Sequence, residues 1–226
     1  MRLRLKYLAG TVVAACIAAS SGVASAAPVV LTTSINVWTG TNPNPGSSSD
    51  PTQQALPSNP LTSQTYVGNF SYTGAIDFAN YNQATDLMSN WIPGIGLPAL
   101  QMSSPSFATS SLFEFTFTVA SDLTGVTLTH DDGVSLFNIT TNSANLIPGH
   151  EGPTSATTTA LPTLSGGQTY QIWYIAANGA PSILSLNATS AVPEPASWML
   201  LIVGFGAVGL ASRRTRATVR FGRQMA

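Results

Sequence analysis

Three observations predict an all-β fold, an antiparallel β-sandwich carried between two terminal apolar segments. Within residues 112–119 the alternation is unbroken from Phe113: Phe113, Phe115, Phe117 and Val119 fall on one face, Glu114, Thr116 and Thr118 on the other. That is the period of a half-buried strand. Short β-branched and aromatic runs recur through the middle of the chain between Gly, Asn, Asp and Pro, with no long helical period. Only 8% of residues are charged, about a third of the usual share, which suits an extracellular β module better than a cytosolic enzyme.

Residues 1–26 read as a secretory signal peptide. Arg2, Arg4 and Lys6 precede an apolar run over residues 7–19, and Ala24 and Ala26 frame a small-residue cleavage site. Two alternatives stay open: an uncleaved N-terminal anchor, and a lipoprotein box at residues 13–16 that would lipidate Cys16, the only cysteine. A single cysteine excludes a disulfide framework and a thiolate metal site.

Residues 27–191 then form the exported domain, about 165 residues, enough to bury a core without staples. Residues 28–38 suit an opening strand or two. Residues 39–64 are rich in Pro, Ser and Asn and read as a mobile surface loop. A short helix is expected within 78–91, with Leu87 and Trp91 on one face, ended by Pro93-Gly94. Beyond strand 112–119, residues 126–129, 134–140 and 169–177 are strands, and Asn178-Gly179 predicts a hairpin into 183–187.

The charges are segregated. All eight basic residues lie at the ends, and no Lys or Arg occurs between Ala27 and Val192, a stretch that holds eight carboxylates. Such a domain cannot neutralise a phosphate backbone, so nucleic acid is excluded as a partner. It suits divalent cations, or solubility through self-repulsion.

The C-terminus has three parts. Pro193 and Pro195 hold Pro193-Glu194-Pro195 extended, the form a processing enzyme's cleft prefers. Residues 196–212 carry no charge and as a helix would reach roughly 25 Å, enough for a single transmembrane helix. Trp198 sits at its outer end, and Arg213 and Arg214 hold the inner end in the cytoplasm. The Pro-Glu-Pro triplet, the tryptophan, the Gly204-Phe205-Gly206 segment and the arginines, over residues 192–216, resemble the PEP-CTERM sorting signal of Gram-negative bacteria. That resemblance implies processing by the membrane enzyme exosortase and a setting of exopolysaccharide and biofilm. Residues 217–226 read as a basic cytoplasmic tail. The expected route is export across the inner membrane, transient anchoring, then the cell surface, outer envelope or extracellular space.

Within the domain, residues 115–119, then Thr129-His130-Asp131-Asp132-Gly133-Val134, then Ser165-Gly166-Gly167 before Tyr170 resemble the anthrax protective-antigen-type β-sandwich, a jelly-roll-like fold of adhesins and glycosidases. The resemblance implies that Asp131 and Asp132 hold a calcium ion that contacts sugar hydroxyls. Electrostatics gives two readings of the same residues. Adjacent carboxylates without Lys or Arg call for a cation, while Asp-Gly alone makes an ordinary hairpin turn.

His130 and His150 are the only histidines. Residues 133–137 fail the Gly-x-Ser-x-Gly elbow at Phe137, and Thr154 stands where a second zincin histidine would be. Both histidines read as loop residues. Trp173 and Tyr174 alternate, one facing the core and one outward, where it would be free to stack on a sugar. The expected protein is non-catalytic, with exosortase, the membrane through 196–212, and extracellular polysaccharide as partners. The competing readings are a calcium-dependent carbohydrate-binding adhesin module and, more distantly, a secreted hydrolase supported by His130.

Overall fold

The computed structural model describes residues 27–45 and 47–190, together with the helical residues Ile202, Gly204 and Phe205. The signal peptide with Ala24, Ala26 and Cys16 lies outside the described residues. So do the sorting residues Pro193, Glu194, Pro195, Trp198, Arg213 and Arg214, and the tail at 217–226. No helix among the described residues is long and apolar enough to cross a membrane.

Ten strands and one helical turn, α1 (Met88–Trp91), make up the domain. The strands are β1 (Ala27–Pro28), β2 (Val30–Thr41), β3 (Thr65–Ala75), β4 (Asp77–Asn80) and β5 (Thr109–Thr118). They continue with β6 (Leu123–Asp131), β7 (Val134–Asn138), β8 (Thr157–Ala160), β9 (Thr169–Ala176) and β10 (Ser182–Ser190). One five-stranded antiparallel sheet runs β3-β2-β5-β9-β7. In the other, β10 pairs with β6, which pairs with β8, while β4 and β1 pair with successive stretches of β10.

Alternation produces the sandwich. The inner face of the first sheet buries Ile35 and Val37 of β2, Phe113, Phe115 and Phe117 of β5, and Ile172 and Tyr174 of β9. These meet Leu128 of β6 and Leu184 and Leu186 of β10 in one core cluster. Trp91 plugs one end, stacked on Tyr174 at 4.9 Å, with its indole N–H donated to the Ser182 carbonyl at 3.0 Å. Its helix, a single turn, is the short helix expected within 78–91, and Asp77–Asn80 before it pairs with β10 as β4.

The outer face of the first sheet corrects two expectations. Residues 39–41 extend β2, and the rest of the Pro/Ser/Asn-rich segment is an ordered cover. Asp50 and Asn59 cap two short 3-10 turns, Pro51–Gln53 and Pro60–Ser63. Ala55 and Leu61 are fully buried in a second cluster with Leu112, Trp173 and Ile175. Side chains sew the cover down: Gln53 Nε2 donates to Ser110 Oγ at 2.9 Å, and Ser135 Oγ to the Ala55 carbonyl at 2.5 Å. Trp173 therefore packs under this cover, stacked on Trp38 at 5.7 Å, and neither Trp173 nor Tyr174 is outward and free.

The two expected hairpins are also corrected. β6 and β7, flanking Asp131-Asp132-Gly133, belong to different sheets, as do β9 and β10, flanking Asn178-Gly179. Both turns are crossings of the sandwich, so no hairpin ladder closes across either. The Gly133 carbonyl accepts the Ile175 N–H at 3.0 Å, while side chains hold the Asp131 and Asp132 carbonyls and the N–H groups of residues 177–180, and this brings the site together.

Candidate functional site

Asp131 ends β6 and Asp132 follows it, with the peptide bond between them cis. Both are buried. Gly133 comes next because nothing larger fits: a Cβ there would stand 2.0 Å from the Glu151 carbonyl oxygen. Val134 N–H donates to the His150 carbonyl at 2.7 Å, drawing the 145–156 loop over this corner.

Asp132 joins the two crossings. Its Oδ2 accepts the N–H of Ala177 at 2.7 Å and of Asn178 at 3.2 Å, and its Oδ1 is buried without a partner. The Asn178-Gly179 turn is held further by Gly179 N–H on Ser103 Oγ at 2.9 Å and Ala180 N–H on Gln83 Oε1 at 2.6 Å. Tyr174 donates its hydroxyl to the Asp131 carbonyl. The Asp131 carboxylate accepts the Ala156 N–H.

Sequence reasoning missed Asp86. Its Oδ2 accepts Ser182 Oγ–H at 3.0 Å, and its Oδ1 is a second buried oxygen without a partner. No motif surrounds it. The available signal was a lone acid just before the apolar turn Leu87-Met88.

Burial without a cation dominates the electrostatics. It pushes Asp132 up to about 7, where repulsion from Asp131 and Asp86 adds to the effect against the two N–H donors. Burial likewise raises Asp131 and Asp86 to about 6. Tyr174, fully buried near these carboxylates, is raised well above its ordinary value. Two buried carboxylate oxygens without donors are the kind of unmet demand that a proton or a hard cation relieves. Among the described residues no three His, Cys, Asp or Glu side chains are grouped to hold a metal.

The histidines come together, though not as loop residues in both cases. His130 is a fully buried residue of β6, its ring edge-on to His150 at 5.5 Å. Its Nδ1–H donates to the Asp132 carbonyl at 2.6 Å, and Nε2 accepts from Thr159 Oγ1 at 3.3 Å. Burial lowers its pKa, so the neutral ring is favoured. Ser135 donates to Ala55 rather than to either histidine.

Residues 191–216 match the family described as PEP-CTERM protein-sorting motif, one residue longer at its start than the sequence expectation. No curated protein matches the chain. Among solved structures, the fold is similar to the PA14 domain of the MpAFP antifreeze protein, at 11% identity and a TM-score of 0.45, over 75% of this chain and 88% of that one. It is also similar to a PA14 sugar-binding domain from an RTX adhesin, at 14% identity and a TM-score of 0.47, over 73% and 93%. A third likeness is to the GH31 alpha-xylosidase from Xanthomonas citri, at 8% identity and a TM-score of 0.36, over 75% of this chain and 16% of that one. The chain carries a PEP-CTERM protein-sorting motif at residues 191–216, directly after the last strand of an antiparallel β-sandwich.

Proposed function

We propose that this is a non-catalytic protein of the cell surface or extracellular matrix, exported, processed by exosortase and associated with exopolysaccharide. The observation that carries the reading is the sorting motif beginning at residue 191, immediately past β10 at Ser190. A folded β module joined without a spacer to a sorting sequence is cargo for the envelope. The buried histidine fits this reading, since His130 spends both ring nitrogens on structural partners. Mass spectrometry of the envelope and medium fractions of the producing bacterium tests it. The expected surface form ends near Pro195, and peptides spanning Trp198 to Ala226 on that form would sink the reading.

A second reading, a calcium-dependent carbohydrate-binding module, is favoured by the partnerless Asp132 Oδ1 and Asp86 Oδ1. Asp131 and Asp132 would be its carboxylate ligands, and a calcium ion there would complete its shell with main-chain carbonyls or water. The site also lies at the right end of the domain. Asp131 pairs with Ile183 at the start of β10, whereas Leu123 pairs with Ser190 at its end. The strand thus separates the site from Ser190, where β10 ends, by roughly 25 Å. Calorimetric titration with calcium is expected to give saturable heat in the wild type and none in Asp132→Asn. No heat in the wild type would leave the carboxylates to protons.

A further inference from the structure

The outer face of the first sheet is divided in two. The half around Trp173 and Leu112 lies beneath the chain's own 51–63 cover. The other half is lined by hydroxyls in register across strands. Thr32 of β2 lies opposite Thr73 of β3, and Ser34 lies between Ser71 and Thr116. Thr118 lies opposite Thr169 of β9. A groove of about 640 Å³ lies at this half, lined on one side by hydroxyls of Thr32, Ser34, Ser71, Thr116, Thr118 and Thr169 and on the other by apolar side chains, among them Val30, Leu31, Phe117 and Val119.

The chemistry of the groove restricts its occupant. The hydroxyls bond one another, Thr32 to Thr73 at 3.2 Å and Thr118 to Thr169 at 2.9 Å. Each such pair uses one hydrogen and one lone pair, so each pair keeps one O–H to donate and lone pairs to accept on both oxygens. The one charge along these rows is Glu114, already engaged by Asn36 Nδ2 at 3.1 Å, Thr116 Oγ1 at 3.3 Å and Gln171 Nε2. With no Lys or Arg between Ala27 and Val192, a polyanion finds no counter-charge and meets net repulsion. A cationic ligand finds only a carboxylate already satisfied. Val30, 71% exposed at one end of β2, and Tyr66, 52% exposed at the other, add apolar surface. Tyr66 is tied to the polar rows by its hydroxyl on Asn36 Oδ1 at 2.8 Å. The run from Val30 to Trp38 spans roughly 25 Å.

We propose that this hydroxyl-lined groove is a binding site for an uncharged polysaccharide, separate from the Asp131–Asp132 corner and independent of calcium. Sugar hydroxyls exchange hydrogen bonds with the Thr and Ser rows, and the apolar sugar faces rest on Val30 and the other apolar side chains of the groove. The proposal goes beyond the sorting reading, which is tested by processing alone, so either fails without the other.

The test is affinity electrophoresis of the full-length chain, in mild detergent with chelator present. The gels contain hydroxyethylcellulose, dextran, galactomannan or, for contrast, the polyanion alginate. Retardation by at least one uncharged polymer, and not by alginate, is expected. Thr116→Val with Thr118→Val keeps the β-branched shape and should weaken retardation at least fivefold. Ser71→Val, a single change on an exposed position, should weaken it in the same direction. Thr129→Val makes the same chemical change on the other sheet, where Thr129 pairs with Thr158, and should have no effect. Melting curves establish that each variant is folded. The proposal is overturned by no retardation on any uncharged polymer, by a preference for alginate, or by folded groove variants that bind like the wild type. Binding that appears only when calcium is restored and vanishes in Asp132→Asn also overturns it, placing sugar at the carboxylate corner.

Discussion

At Asp132, one carboxylate does two opposing things. Its Oδ2 ties the Ala177–Asn178 backbone to the β6–β7 crossing, while its Oδ1 is buried without a partner. The raised pKa has a definite sign for stability. The folded chain keeps protons on Asp132 and Asp86 that the unfolded chain releases near pH 4. Their contribution is therefore fully present below about pH 4 and is lost as pH rises through 6 to 7. Asp132→Asn keeps an acceptor for the two N–H groups and removes the charge. In calcium-free buffer its melting temperature at pH 8 should exceed that of the wild type by several degrees, with a flatter dependence between pH 4 and 8. A wild type with no such slope would place the proton demand elsewhere. Gly133→Ala tests the close approach beside it. The added Cβ would stand 2.0 Å from the Glu151 carbonyl, backbone that cannot rotate aside, so urea unfolding should show a loss of about 2–4 kcal/mol.

Single strands differ in how plainly their sequences announce them. β5 sits in the middle of its sheet and alternates from Phe113 to Thr118, with Leu112 buried on the opposite face beneath the cover. β3 is an edge strand, largely half-buried or exposed, with Gly68 at φ 153 beside a register shift, so its residues carry little of the period that burial imposes. β8, four residues of Thr-Thr-Thr-Ala, carries no period at all. The 39–64 segment conceals its packing for a related reason. Apart from prolines and glycines its apolar content amounts to Ala55, Leu56 and Leu61 among polar residues, yet Ala55 and Leu61 are completely buried because the outer face of the sheet offers Trp173, Ile175 and Leu112 to cover. Leu61→Ala should cost about 2–4 kcal/mol in denaturant and open residues 43–64 to limited proteolysis. Unchanged protease resistance would show that capping by Asp50 and Asn59 holds the cover without this contact.

In the whole molecule both ends of the domain meet on one strand. Ala27 pairs with Ala188 of β10, two residues before β10 ends, so the expected mature N-terminus lies beside the end of the last strand. Cleavage after Ala26 would therefore leave β1 intact. N-terminal sequencing of the exported protein is expected to begin at Ala27, whereas a lipidated chain beginning at Cys16 would establish the lipoprotein alternative. The sequence by itself determined the sorting motif and the fold class. A sorting motif is read as a linear peptide by other proteins, and strand alternation is a local consequence of one face being buried, so both are legible in neighbouring residues. Only the tertiary structure decided that Asp-Asp-Gly and Asn-Gly cross between sheets rather than close hairpins. A turn's residues favour a local bend without specifying which distant strand comes next. The same holds for Asp86, 46 positions from Asp132, and for hydroxyl rows contributed by four strands. Each depends on pairings between distant segments, set by the packing of the whole core rather than by local sequence.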